Sequence, residues 1–255
     1  MERTSRMWEN AAPYRLRPLP AGQSLHLSRR TITLHRPPLA AVLVVAAALL
    51  TGCASGDDWS QPRPSPSAVG ALGAGFTGPH GPPAPESTLT PSPGSWSGVR
   101  PSPGTRVVLL SAGSDRPAKT LAKAVKAWAA DADVDLRTVT ASGEADLLPA
   151  VNRALDLHPD LVVSAGNDLI DPLTTVSPSH PAQEFLVVGA ELAEPTENVT
   201  AVDWSGASFR GEGLGMSSTY DPASFTDARC AAAIRAGAAA VLTGHTGIVV
   251  WLDEF

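Results

Sequence analysis

The sequence predicts an α/β lobe over residues 105–255, built on a doubly wound parallel sheet. Two observations predict it. Short unbroken apolar runs bounded by turn residues, TRVVLLS at 105–111, DLVVS at 160–164 and EFLVVG at 184–189, have the composition of strands covered on both faces. Between them lie segments whose apolar residues recur every three or four positions, the period of an amphipathic helix. Strands alternating with helices at this spacing imply right-handed crossovers and a parallel sheet.

Taken in order, Thr105 to Ser111 is the first strand. A helix follows, with Ala118, Leu121, Ala122, Val125, Trp128 and Ala129 on one face, Lys119, Lys123 and Lys126 on the other, and Pro117 in the first turn. Val134 to Thr140 alternates as a second strand. Glu144 to Leu157 places Leu147, Leu148, Val151, Ala154 and Leu155 on a helical stripe. Asp160 to Ser164 is the third strand, then a short helix runs to about Val176, Glu184 to Gly189 is the fourth strand and Asn198 to Asp203 the fifth. Beyond a glycine- and serine-rich stretch, Phe225 to Ala240 reads as an alanine-rich helix that Gly237 weakens by about 1 kcal/mol relative to alanine. Gly247 to Leu252 reads as a final strand that must pair with the sheet or with a partner, because an exposed apolar edge invites aggregation.

Upstream of the lobe the sequence has two other characters. Residues 1–52 form a leader: an arginine-bearing segment rich in proline, then the apolar run LAAVLVVAAALL at 39–50. That run falls short of the roughly 20 residues of a spanning helix. It closes on Leu50, Thr51, Gly52 and Cys53, which resembles the bacterial lipobox, in which the cysteine is lipidated and becomes the new N-terminus. A thioether-linked lipid plus a second acyl chain, such as palmitate, gives stable anchoring where one chain is marginal. Ser28 to Ile32, reading SRRTI, loosely resembles a twin-arginine export signal. Residues 53–104 are dominated by proline, glycine and serine and read as a tether, too poor in apolar residues to offset the entropy of ordering.

Charge excludes one class of partner. The first 52 residues hold seven arginines and two glutamates, so the −6 of the whole chain becomes −11 for the remainder. A phosphate backbone selects a basic stripe, so no nucleic acid is expected as a partner. With Cys53 lipidated, Cys230 stands alone among alanines and reads as a small buried hydrophobe. The chain has no G-x-S-x-G elbow, no phosphate-binding GxxxxGK[ST] loop and no GxGxxG after a strand. His158, His180 and His245 lack zinc-like spacing. The reading is of a protein that is not an enzyme and holds no metal and no cofactor.

In open parallel sheets, ligands bind beyond the carboxyl ends of the strands, where loops and helix N-termini present free N–H groups. That rule nominates Ser111, Ser114 and Asp115 after the first strand, and Ser164, Asn167 and Asp168 after the third. After the fourth and fifth it nominates Glu191, Asp203 and Trp204. Ser114, Asn167 and Asp168 are equally suited to helix capping.

The order of these elements, with PDLVVSAGNDLIDPL, AQEFLVVGAEL and NVTAVDWSGASFRGEGLG, resembles the N-terminal lobe of the basic membrane protein family. These are substrate-binding lipoproteins of ABC transporters, similar to periplasmic binding proteins of type I. The resemblance covers about Thr105 to Gly215. It implies an extracytoplasmic lipoprotein of the bacterial envelope, held to the membrane by its lipid, presenting a small polar, nucleoside-like solute to an ABC permease. It also implies a second lobe, which another chain would have to supply. The sequence departs from the family where its ligand is gripped. The turn after the first strand reads SAGSDRPAK, in which only Asp115 matches the family's Asp-x-Ser-Phe-Asn-Gln-like turn. Gly189-Ala190-Glu191 stands where an aspartate is usual, and Asp203-Trp204-Ser205-Gly206 replaces a Phe-Arg-Glu-Glu run. An envelope scaffold or interaction lipoprotein, keeping the lobe without a working pocket, is the alternative reading.

Overall fold

The computed structural model describes residues 59–61, 65–78, 81, 83–207 and 209–255. The expected leader, residues 1–52, and Cys53, expected to carry lipid, lie outside them. The described elements are β1 (Ala68–Val69), β2 (Thr88–Leu89), β3 (Arg100–Pro101), β4 (Arg106–Ser111), α1 (Arg116–Asp131), β5 (Asp135–Thr140), α2 (Leu147–Leu155), β6 (Leu161–Ala165), α3 (Ile170–Val176), β7 (Glu184–Val188), β8 (Val199–Asp203), α4 (Asp227–Leu242) and β9 (Val249–Trp251). Seven strands form one sheet in the order β2-β9-β8-β7-β6-β4-β5, every neighbouring pair parallel.

The unbroken apolar runs are strands because both faces of the sheet are covered. In β4, Val107 and Leu109 belong to the core beneath α1 and α4, whereas Val108 and Leu110 belong to the core beneath α2 and α3, and all four are fully buried. The expected α/β lobe is therefore present, with Val107, Val162 and Val187 on neighbouring parallel strands.

The local signals explain where the helices begin. Asp115 caps α1, its carboxylate accepting the Ala118 N–H at 3.1 Å, and Pro117 sits in the first turn, where its missing donor costs nothing. Gly237, expected to weaken the alanine-rich helix, has a packing role. A Cβ there would stand 2.4 Å from Leu186 Cδ1 and 2.6 Å from Val202 Cγ2, so its absence lets α4 lie directly on β7 and β8.

The tether expected over residues 53–104 is corrected for its described part. Phe76 and Trp96 are buried in the core beneath α4, with Leu72, Leu89 and Val99 packed beside them. β2 is an edge strand parallel to β9, Thr88 opposite Val249, and β1 and β3 close a small antiparallel ribbon. A few well-placed aromatic residues supply the burial that average composition hides. Pro101, the last residue of β3, sits in a two-stranded ribbon, an edge position where a missing donor is tolerated. The final strand, β9, lies between β8 and β2, so its two sides are paired within this chain.

The chain passes from β4 to β5 at one edge, then returns across β4 to β6 and builds outward the other way. At that reversal the loops after β4 and β6 diverge and leave a crevice above the sheet.

Candidate functional site

A cleft of about 730 Å³ opens at this reversal, at the carboxyl ends of β4, β5 and β6. Ala112, Gly113 and Ser114 line it from the loop after β4. Ala141, Ser142, Gly143 and Glu144 come from the loop after β5, and Asn167 and Asp168 from the loop after β6. Leu147, Asp171 and Pro172 contribute from α2 and α3, and Phe209 and Glu212 from the loop after β8.

Backbone pairing continues one step past the strands and fixes the floor. Ala112 N–H donates to Ala165 O at 3.2 Å, and Ala141 N–H to Ser111 O at 2.9 Å. Gly166 then turns away with φ of +126°; a Cβ there would lie 2.5 Å from Ala112 O, so only glycine allows the two loops to approach this closely. The wall after β5 is braced by Asp146, whose carboxylate accepts the Ser142 N–H at 2.9 Å and both Arg153 Nη groups at 2.7 and 2.9 Å. The Arg153 guanidinium holds that carboxyl well below the usual carboxylate range. The far wall is held by Glu191: its N–H donates to Phe209 O at 2.9 Å, and its carboxylate takes the Ser217 hydroxyl at 2.7 Å and pairs with Arg210 Nε at 3.1 Å.

The lining carries one sign of charge. Glu144, Asp168, Asp171 and Glu212 contribute carboxylates, and neither lysine nor arginine lines the cleft. A concave surface lined by negative charge concentrates cations and repels anions. Among the described residues no three His, Cys, Asp or Glu side chains are grouped to hold a metal ion.

Of the residues the sequence nominated, Ser114, Asn167 and Asp168 come together in the cleft. The others are corrected. Ser111 is outside the lining and pairs with the Thr140 hydroxyl at 3.0 Å, and Asp115 is the cap of α1. Ser164 is buried and outside the lining, its hydroxyl without a hydrogen-bond partner among the described residues. Glu191 is the brace just described. Asp203 is fully buried and accepts the Trp204 N–H at 2.9 Å. Trp204 is fully buried as well: it meets Phe225 edge-on at 5.0 Å and donates from Nε1 to Ser224 Oγ at 3.0 Å. It packs the core and is not among the residues that line the cleft.

Sequence reasoning missed the loop after β5 and its Ser142 and Glu144. The signal was available, since the rule about carboxyl ends applies to the second strand as it does to the others. Phe209 and Glu212 had no such signal, because they reach the cleft from a glycine-rich segment with no periodicity.

No family model matches this chain, and no curated protein matches it. Solved structures similar to it include an ABC transporter solute-binding protein from Aeropyrum pernix K1, 23% identical over 41% of this chain and 29% of that one, with a TM-score of 0.36. Another is an ABC transporter solute-binding protein from Bacillus halodurans C-125 with bound myo-inositol, 14% identical over 59% of this chain and 58% of that one, with a TM-score of 0.29. A transcriptional activator of the comK gene from Bacillus halodurans is 15% identical over 58% and 54%, with a TM-score of 0.35. This chain thus spans less than two thirds of the length of each. Likenesses of this size add nothing to what the sheet order already says.

Proposed function

We propose that this chain is a lipid-anchored, extracytoplasmic solute-binding-like protein whose cleft takes a small polar solute, without catalysis, for an ABC permease. The observation that carries the reading is the cleft at the reversal of strand order, where lining groups from three strand-end loops face an open volume. Ser114, Asn167, Asp168 and Glu144 make no side-chain hydrogen bond among the described residues, so their hydrogen-bonding capacity is free for a solute. The resemblance to the basic membrane protein family supplies the nucleoside-like expectation, and the carboxylate lining narrows it to neutral or cationic solutes. Anchoring through Cys53 rests on the lipobox alone. No helix among the described residues is long and apolar enough to cross a membrane.

A thermal-shift screen of the mature protein against nucleosides, polyols and amines, with nucleotides as anionic controls, tests the reading. A binder at 100 times its dissociation constant adds about 2.7 kcal/mol of stability. A shift with neutral or cationic solutes and none with nucleotides supports it. No shift with any of them, from folded protein, overturns it in favour of an envelope scaffold. That second reading draws on one observation: Ser114, Asp168, Asp171 and Glu212 are all exposed, so a solute in this cleft would remain wet on one side.

A further inference from the structure

Trp59 is buried to 4% exposure against the amino-terminal ends of β4 and β5, six residues beyond Cys53. Each of its parts is engaged. The indole Nε1 donates to Asp135 Oδ2 at 2.6 Å, its carbonyl accepts Arg106 Nη1 at 2.6 Å, and the Arg137 guanidinium stacks on the ring at 4.4 Å. A buried indole with its N–H satisfied and a cation on its face is a strong attachment. Its place in the chain sets how far the lobe can stand from the site of lipidation.

We propose that Trp59 is a latch that holds the lobe against the bilayer, with the amino-terminal ends of β4 and β5 on the membrane-facing side. This rests on the lipid-anchor reading of Cys53. A free proline-rich spacer from 53 to 104 would extend to about 150 Å at roughly 3 Å per residue. With Trp59 docked, six residues span at most about 22 Å, and that covalent limit holds whatever their conformation. The partner of this surface is the lipid headgroup layer itself. β4 has six residues, about 20 Å of strand, so the cleft mouth lies about that much further along.

Energy transfer tests it on the full-length protein in native membranes. Cys230 is buried, so a single introduced cysteine takes the dye. Asp131→Cys labels the end of α1 beside the strands' amino ends, and Ala145→Cys labels the loop beside the cleft; the acceptor is a headgroup-labelled lipid. Strong transfer from position 131 and weaker transfer from 145 is the expected result. Trp59→Ala should then reduce transfer at 131, because without the indole the attachments that follow are a long Arg106 Nη2 bond to Gln61 O at 3.4 Å and then the Ser67–Ser102 pair, which lets the leash lengthen toward about 50 Å. Asp135→Ala, which removes only the indole's acceptor, should move it part of the way even if Trp59→Ala fails to fold. Equally weak transfer from both labels, or transfer at 131 untouched by either substitution, overturns the latch. Metabolic labelling with palmitate reports on the anchor separately: label on wild type and none on Cys53→Ser supports lipidation, whereas no label on wild type, or label that persists in Cys53→Ser, overturns the anchor reading and the latch with it; with the label in place, the transfer contrast alone decides the latch.

Discussion

The two halves of the sheet's carboxyl edge share a geometry and differ in outcome. At the β4, β5 and β6 ends the loops splay apart and leave Ser114, Asn167, Asp168 and Glu144 facing a cleft. At the β8 and β9 ends the same edge is sealed. Trp204 is fully buried against Phe225, and Asp253 takes the Ser205 N–H at 2.8 Å, the Ser205 hydroxyl at 3.0 Å and Trp251 Nε1 at 2.9 Å. Arg229 closes the corner by donating to Leu252 O at 2.8 Å. Being at a strand's carboxyl end makes a residue a candidate, but the packing behind the loop determines whether it meets solvent or core.

Substitutions should separate the halves. Trp204→Ala should destabilise the protein by about 3–5 kcal/mol in chemical denaturation, the range for emptying a buried aromatic site. A loss of solute response with stability intact would instead make Trp204 a ligand residue and merge the two regions. Cys230, in the first turn of α4 on the sealed side, comes next. Burial pushes its thiol up to about 12, with the nearby Asp227 adding to the shift. The folded state therefore keeps its proton where the unfolded chain, near pH 9, gives it up. The resulting stability is complete below that value and falls as pH rises toward 12, by up to about 1.4 kcal/mol per pH unit. Urea titrations of wild type and Cys230→Ala across pH 8–11 check it: the substitution should flatten the alkaline slope.

Asp253→Ala removes the acceptor of three exposed hydrogen bonds whose donors can turn to water, and should cost about 0.5–1 kcal/mol. On the open side, Asn167→Ala and Asp168→Asn should change stability by no more than about 0.5 kcal/mol, since neither side chain has a hydrogen-bond partner among the described residues. Both should abolish any solute-dependent thermal shift. If instead they unfold the protein, the open half is structural after all.

Much of the sheet was legible from local pattern. VVLL, LVV and FLVV are apolar without interruption because helices cover both faces, and Asp115 with Pro117 announced the start of α1. The site was legible only in part. Ser114, Asn167 and Asp168 were found by their position after β4 and β6, whereas Glu144 needed the same rule applied to β5. Phe209 and Glu212 arrive through a backbone bridge between Ala190 and Phe209 that no sequence period encodes. Gly237 misleads in the other direction: its helix propensity is poor, yet its missing side chain is what the contact with Leu186 and Val202 requires.

The sequence alone determined the fold class and the acidity of everything after residue 52, because each is written in runs of neighbouring residues. Tertiary structure decided that Phe76, Trp96 and Trp59 turn a proline-rich stretch into part of the lobe. It decided, too, that Trp204 belongs to the core and that one half of a uniform strand edge stays open. Those outcomes depend on contacts between residues tens of positions apart, such as Trp59 with Asp135, and burial of that kind is a property of the packed chain.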